Sequence, residues 1–218
     1  MINIAEELTS LGVFLRWRVL EGVMVYKSSS SEVVMNIIRE SVNRVRSTLT
    51  LETLKDHPVI RAYRDFYWRL GIDPTKTRPS AEALIRRVLR HGDLPLINNV
   101  VDLGNVASIE TMIPIGIYDL DQVIPPLTLR RSRRGEVFHP IGGKPEFLTQ
   151  NEIVLSDLVG RIVHVFPHRD SVLTMVREVT KNILIVACGV RGVEESRVQG
   201  AVDMAFKLIM MSLQSQLS

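Results

Sequence analysis

The chain has 218 residues, of which 45% are hydrophobic and 23% are charged, and its formal net charge is +3. These proportions are typical of a globular protein and argue against a disordered or fibrous chain. One hydrophobic core can serve a chain of this length, so we expect a single domain over residues 1–218.

Cysteine usage and hydropathy indicate the compartment. Cys188 is the one cysteine, which excludes an internal disulfide and favours a reducing environment. Glu6 and Glu7 stand where a signal peptide carries positive charge. The apolar run 183–190 is far shorter than the roughly 20 residues that cross a bilayer. We therefore expect a cytoplasmic protein that is neither secreted nor inserted in a membrane.

The first half of the chain predicts mainly helices. Residues 12–25 are rich in β-branched and aromatic side chains, which predicts one bent strand or a pair of strands. Apolar residues then recur at helical spacing over 32–49. Over 57–70, Pro58 suits the first helical position and Gly71 suits the left-handed residue after the end. Two amphipathic helices are therefore expected before residue 72.

Two more helices are predicted before the pattern changes. Ser80 is interpreted as the cap of a helix that runs to His91. Residues 94–112 predict another helix that starts near Asn98 or Asn99. Gly104 inside it weakens the helix by about 1 kcal/mol and indicates close approach of another backbone or a ligand.

From residue 114 onward, short β-rich runs alternate with turns, and the last twenty or so residues return to helical periodicity. The predicted strands lie within PIGIYDLD, LTLRR, GEVFHP, NEIVLSD, GRIVHVF and NILIVACGV. Helices followed by strands predict an α+β fold, with mixed and largely antiparallel sheets packed against helices in layers.

Basic residues cluster in two places. Residues 51–91 hold nine Lys/Arg against five Asp/Glu, and Arg130, Arg131, Arg133 and Arg134 fall within five positions. Such clusters either bind the phosphates of RNA or form a solvated face with acids opposite. Both interpretations stay open at this point.

The stretch 78–123 resembles the fused third and fourth domains of the phenylalanyl-tRNA synthetase beta subunit. The similarity lies in LPLINNVVDLGN, PIGIYDLD and LRRSRRGE, with weaker matches in NEIVLSD, HRDS and TKNILIV. It covers roughly residues 60–190. In that synthetase the unit hydrolyses tyrosine wrongly attached to tRNA, and freestanding relatives are thought to clear other mischarged tRNAs in trans.

The resemblance implies a tRNA partner and a deacylase pocket, with one departure. Gly116 stands where the synthetase pattern has a pocket histidine, as it commonly does in freestanding relatives. The fold is thus expected, whereas tyrosine specificity is not. Glu178 lies near the position of a pocket glutamate in the synthetase, and we include it among the substrate-binding candidates.

The candidate catalytic residues are polar side chains on the predicted helix 98–111 and at the next strand end. Asn98, Asp102 and Asn105 share one helix face, and Asp119 closes the strand PIGIYD. A deacylase needs such groups to hold a water beside an ester carbonyl. The alternative is structural: Asn98 caps the helix, Asp102 and Asn105 fix neighbouring loops, and Asp119 opens a turn.

The other substrate-binding candidates are Arg78, Ser80, Tyr118 and Arg169. Arg78 either binds the terminal ribose or phosphate or pairs with an acid, and Ser80 is more plausible as a cap than as a catalyst. Arg169 and its neighbour Asp170 either line the pocket or pair together.

We predict no metal site and no cofactor. His164 and His168 lie four residues apart, but Pro167 and the strand pattern around them argue against a shared face.

Three functions are compatible with the sequence. The first is a trans-acting aminoacyl-tRNA deacylase, and the second is a non-catalytic tRNA-binding module of the same fold. The third, a small-molecule or amino-acid binding protein, requires the pocket without the basic surface. DNA is not an expected partner, because the resemblance points to tRNA.

Overall fold

Helices occupy the first half of the chain and the C-terminal end, and strands occupy most of the region between them. The computed structural model describes residues 1–150 and 152–215. Its helices are α1 (Glu6–Ser10), α2 (Glu32–Thr48), α3 (Leu51–Leu54), α4 (Pro58–Arg69), α5 (Ser80–His91), α6 (Asn99–Thr111) and α7 (Glu195–Gln214). Its strands are β1 (Ile2–Ile4), β2 (Phe14–Leu20), β3 (Ile115–Asp119), β4 (Leu127–Arg131), β5 (Val137–Phe138), β6 (Glu146–Phe147), β7 (Ile153–Ser156), β8 (Ile162–Val165), β9 (Arg169–Asp170) and β10 (Ile183–Gly189).

The strands form two main sheets and one short hairpin. The larger sheet has the order β1-β4-β7-β8-β9, in which β1 and β4 are parallel and the other pairs are antiparallel. The smaller sheet is antiparallel with the order β2-β10-β3, and β5 pairs with β6. The predicted α+β class with mixed, largely antiparallel sheets is confirmed.

Local signals in the sequence mark the ends of the long helices. Pro58 is the first residue of α4, and Gly71 has a left-handed φ of 73° just after its end. Asn98 caps α6 by accepting a hydrogen bond from the amide of Val101 at 2.9 Å. Because capping residues act within one turn, they can be recognised without tertiary information.

The prediction that Ser80 caps α5 was wrong, and the strand predicted within residues 12–25 is shorter than the segment. Ser80 is the first residue of α5, and Pro79 takes the cap position without a side-chain hydrogen bond. The segment 12–25 contains one strand, β2, which ends at Leu20 because β10 pairs with it only that far. Val23 and Val25 are nevertheless buried, and core packing explains their apolar character.

The core is continuous from the helices to both sheets. One cluster of buried apolar residues extends from Leu8 to Ile209. The central strand β10 is buried at all seven positions, and α6 is buried around most of its circumference. Among the described residues, no helix combines the length and apolar character that a membrane span requires.

Candidate functional site

A small pocket of about 100 Å³ opens beside α6. Its walls come from the first half of α6, from β3 and from the turn that follows β9. Eight of its ten lining residues are Gly, Ile, Val or Met, and the two polar ones are Asn105 and Asp170. The apolar members are Ile97, Val101, Gly104, Ile115, Ile117, Ile141, Met175 and Val176. An apolar pocket with a few converging polar groups is the usual form of a small-molecule site.

Asp170 is held by a buried histidine. In the β8–β9 pair it lies opposite His164, and its Oδ1 is 2.7 Å from Nδ1 of that residue. On the other side of the ring, Nε2 of His164 is 3.8 Å from the thiol of Cys188. These partners fit the tautomer in which Nδ1–H donates to the carboxylate and Nε2 accepts from the thiol.

Cys188 itself is not suited to act as a nucleophile. It is fully buried in β10, and burial, assisted by the nearby charge of Asp170, raises the pKa of its thiol well above the usual value. A neutral thiol is a weak nucleophile. The exposed end of this chain of contacts is Asp170, whose side chain is 30% accessible and lines the pocket.

Gly116 makes room for two of these groups. A Cβ built on it would lie 2.6 Å from Cζ of Tyr118, closer still to the hydroxyl, and 3.2 Å from Oδ1 of Asp170. Tyr118 is 0% exposed, and its ring occupies the space that a side chain at 116 would need. Glycine at this position is therefore required by the packing of this chain, and a histidine here is incompatible with it.

Asp102 lies away from the pocket lining. Its carboxylate turns toward the start of its own helix, where it accepts hydrogen bonds from the amide of Ile97 at 2.9 Å and from Oγ of Ser28 at 2.5 Å. Burial raises the pKa of Asp102, and these hydrogen bonds oppose that rise. Its contacts are those of a structural carboxylate that ties a loop to the helix end.

We expect the Asp102→Asn variant to keep its fold, since an amide can accept from Ile97 and donate to Ser28. The Asp102→Ala variant should lose about 1–3 kcal/mol of stability, because it removes the partner of the buried Ser28 hydroxyl. The pKa of Asp102 is higher in the folded protein than in the unfolded chain, so the stability that Asp102 contributes falls as pH rises through its folded-state pKa. Asp102→Asn should remove this pH dependence of stability. Urea unfolding of both variants at several pH values tests this account, and an Asp102→Asn variant as unstable as Asp102→Ala would contradict it.

The other three catalytic candidates also differ in where their side chains lie relative to the pocket. Asn98 is occupied as the cap of α6. Asp119 accepts from the amide of Asp121 at 3.1 Å and from Oγ1 of Thr180 at 2.7 Å, so it fixes the turn after β3. Asn105 is half-buried and lines the pocket. Of the four catalytic candidates, Asn105 is therefore the one in the pocket wall.

The substrate-binding candidates are dispersed. Arg169 pairs with Glu146 and not with Asp170, and Glu178 is exposed in a turn outside the pocket wall. Ser80 begins α5, and its amide donates to the carbonyl of Pro167 at 3.0 Å. Arg78 is half-buried beside His168, whose Nδ1 is 2.7 Å from the Arg78 carbonyl, and its Nε has no hydrogen-bond partner in the described part of the chain.

The arginine cluster at the end of β4 is only partly available to a ligand. Arg130 is paired with Glu136 at 2.6 Å and with Oγ of Ser156 at 3.1 Å, so it stabilises the turn. Arg131 is half-buried, whereas Arg133 and Arg134 are exposed. No ion pair to either exposed guanidinium is found within residues 1–150 and 152–215.

A larger concavity of about 580 Å³ lies against α4, away from the pocket described above. It is wide open, and its walls are mainly charged, with Arg61, Arg69 and Arg191 facing Asp56 and Asp65. Because it is open to solvent and lined mainly by charged side chains, size alone does not make it the reaction site. We therefore place the candidate chemistry in the smaller pocket.

Cation ligands are not grouped in the described part of the chain. Residues 1–150 and 152–215 contain no cluster of three or more His, Cys, Asp or Glu side chains with metal-binding geometry. His164 faces Asp170 and Cys188, while His168 faces the carbonyl of Arg78.

Comparison with protein families identifies the family of this chain. Residues 62–211, more than half of the chain, match the B3/4 domain. The chain belongs to the B3/4 domain family. This B3/4 protein is 26% identical over 162 residues to the phenylalanine–tRNA ligase beta subunit of Methanococcus maripaludis, which covers 62% of the chain and 28% of that protein.

Two bacterial beta subunits are also similar to part of this chain. The corresponding beta subunit of Neisseria meningitidis serogroup B is 25% identical over 116 residues, covering 53% of this chain and 15% of its own length. That of Nitrobacter winogradskyi is 34% identical over 82 residues, covering 38% and 10%. The B3/4 protein thus spans a minor part of the curated relatives it matches.

A solved structure shares the fold. It is an N-terminal fragment of the phenylalanyl-tRNA synthetase beta subunit from Pyrococcus horikoshii, with a TM-score of 0.53 and 15% identity. The match covers 96% of this chain and 48% of the fragment. The B3/4 protein is therefore a distant relative of the N-terminal region of that subunit.

Proposed function

We propose that this B3/4 protein hydrolyses the ester bond of mischarged aminoacyl-tRNA in trans, with the pocket beside α6 as the site. The observation that carries the proposal is the pairing of an apolar pocket with two polar side chains, one of which, Asp170, is held by His164. The amino-acid side chain would occupy the apolar wall, and the ester would lie at Asn105 and Asp170. Similarity to the beta subunit of a tRNA ligase supports tRNA as the carrier.

The proposed reaction requires only water and the ester. Asp170 accepts a proton from a water molecule as the water oxygen attacks the carbonyl carbon. The side-chain amide of Asn105 donates to the oxygen on which negative charge develops. When the tetrahedral intermediate collapses, the bond to the ribose oxygen breaks and that oxygen takes the proton from Asp170. Free amino acid and deacylated tRNA are the products.

The immediate environment of Asp170 supports this role. One oxygen of the carboxylate lies 2.7 Å from Nδ1 of His164, the buried Tyr118 hydroxyl lies nearby, and the side chain is still 30% accessible from the pocket. The carboxylate is thus oriented by a buried partner while keeping an acceptor for water. An oriented group of this kind lowers the entropic cost of reaching the reactive geometry.

The direct test is a panel of tRNAs charged with different amino acids and incubated with the purified protein. We expect release of at least one amino acid well above the rate of spontaneous hydrolysis without protein. Uniform failure to accelerate any ester would overturn the proposal. Tight tRNA binding without release would instead support the alternative, a non-catalytic tRNA-binding module, for which Gly116 in place of the synthetase histidine is the specific argument.

We further propose that Arg133 and Arg134 contact the tRNA backbone. The Arg133→Gln/Arg134→Gln double variant should weaken tRNA binding, and the slope of log K against log salt should fall by about 0.7–0.9 for each phosphate that the protein no longer neutralises. Fluorescence anisotropy at several salt concentrations measures both effects. Arg16→Gln/Arg18→Gln is the matched control, since both guanidinium groups are already paired, with Glu195 and Asp203, and lie outside the two basic clusters.

The same assay identifies the alternative surface. A double variant of Arg61 and Arg69 removes two guanidinium groups from the concavity against α4. If this variant alone weakens binding and lowers the salt slope, the tRNA contact lies on α4 and our assignment to the β4 turn is wrong.

A further inference from the structure

We propose that the substrate class of this pocket is the ester of a small aliphatic amino acid, such as valine or isoleucine, and not an aromatic one. The inference rests on the proposed hydrolysis and narrows it. It depends on three properties of the pocket: its volume, the chemistry of its wall and the residues that limit its depth.

The volume limits the size of the side chain. A closed apolar cavity of about 150 Å³ accepts a benzene ring, which has six carbon atoms. The pocket has about 100 Å³, about two thirds of that volume, so a benzene-sized ring exceeds this space whereas a branched aliphatic side chain is smaller. Valine and isoleucine side chains have three and four carbons, whereas the side chains of phenylalanine and tyrosine have seven.

The chemistry of the wall also disfavours tyrosine. Apart from Asn105 and Asp170, the lining residues of the pocket carry no side-chain hydrogen-bonding group. If these two groups are engaged with the ester and its water, a phenol hydroxyl would be buried without a side-chain partner. An unpaired buried hydroxyl is strongly unfavourable, so the wall selects for a hydrocarbon side chain.

The depth of the pocket is set by Ile117 against α6. A Cβ built on Gly104 would lie 2.5 Å from Cδ1 of Ile117, so the isoleucine side chain fills the space beside the glycine. The space beside Gly104 is therefore not available to a larger ligand, and this limit comes from β3.

The experiment uses one tRNA body charged chemically in turn with alanine, valine, isoleucine, phenylalanine or tyrosine, so that only the amino acid differs. We expect valyl and isoleucyl esters to be hydrolysed at least 10-fold faster than the phenylalanyl and tyrosyl esters, since one methylene alone changes rates about 10- to 200-fold. Binding of the non-hydrolysable amides 3′-valylamino- and 3′-tyrosylamino-3′-deoxyadenosine is measured in parallel by calorimetry.

Two variants should shift the preference in opposite directions. Ile117→Ala enlarges the pocket and should raise the phenylalanyl rate relative to the valyl rate by at least 10-fold. Gly104→Ala pushes the flexible end of Ile117 into the pocket and should lower the isoleucyl rate relative to the alanyl rate. Ile109→Val is the matched control, because Ile109 is buried in α6 outside the pocket wall, and its rate ratios should equal those of the wild type.

The outcomes separate this inference from the proposed function. Equal hydrolysis of aromatic and aliphatic esters would overturn the substrate class and leave the hydrolase intact. Absence of hydrolysis with tighter binding of the valyl amide would overturn the hydrolase and support the substrate class. Absence of hydrolysis with no preference between the amides would overturn both.

Discussion

Replacing Asp170 by asparagine is expected to lower the rate of aminoacyl-ester hydrolysis by about 10²–10⁴-fold, the usual contribution of a general base. Asparagine keeps the shape of the side chain and can still bond to His164, so the fold should be retained. Because the carboxylate is proposed to act on water and not on the RNA, the affinity for tRNA should stay unchanged. Single-turnover release of the amino acid and tRNA binding are the two measurements.

Asp203→Asn is the matched control for this variant. Asp203 lies on α7 and pairs with Arg18 at 2.9 Å, away from the pocket wall, so its loss should leave the hydrolysis rate within error of the wild type. If the Asp170→Asn variant hydrolyses esters at the wild-type rate, the carboxylate is not the base. A parallel fall in tRNA affinity would indicate a binding role instead.

Introducing a side chain at Gly116 is expected to destabilise the protein. The Gly116→Ala variant should lose about 1–3 kcal/mol or more, since a new Cβ overlaps a fully buried ring that has no space to move into. The Gly116→His variant, which restores the histidine of the synthetase pattern, should be still less stable. Urea unfolding measured by far-UV circular dichroism gives the change in free energy.

The reason for this loss is itself testable. The double variant Gly116→Ala/Tyr118→Ala should lose less free energy of unfolding than the two single variants lose together. The difference should be about 0.5–3 kcal/mol. Gly200→Ala is the control, because a Cβ there meets no atom within 4 Å and alanine is favoured inside a helix by about 0.5–1 kcal/mol. Full stability of the Gly116→Ala variant would show that the Tyr118 ring moves aside easily.

The helices were largely predictable because their signals are local. The start and end of α4 follow from Pro58 and Gly71, and the start of α6 follows from Asn98. The short strands β1 and β6 were not predicted as separate elements, since two or three residues carry no usable periodicity. Their strand character comes from long-range pairing, as in the parallel contact of Ile2 with Leu127.

The candidate site was less predictable than the fold. The spacing of Asn98, Asp102 and Asn105 predicted one shared face, but α6 is buried on most sides, so a shared face does not identify which residue meets a pocket. Asp102 turns toward Ser28, a partner 74 positions away in sequence. The role of Asp170 depends on its register opposite His164, and single-sequence reasoning does not fix strand register.

The burial of α6 also bears on how a ligand would bind. Val101, Gly104 and Asn105 project from a helix that its neighbours hold in place on most sides, so this wall is preorganised and loses little conformational entropy when the pocket fills. The opposite situation holds at the rim, where Ile97 and Ile141 are about half exposed on loops. When related substrates bind, conformational changes of the pocket should therefore be confined to these two rim residues, while the helical wall keeps its conformation.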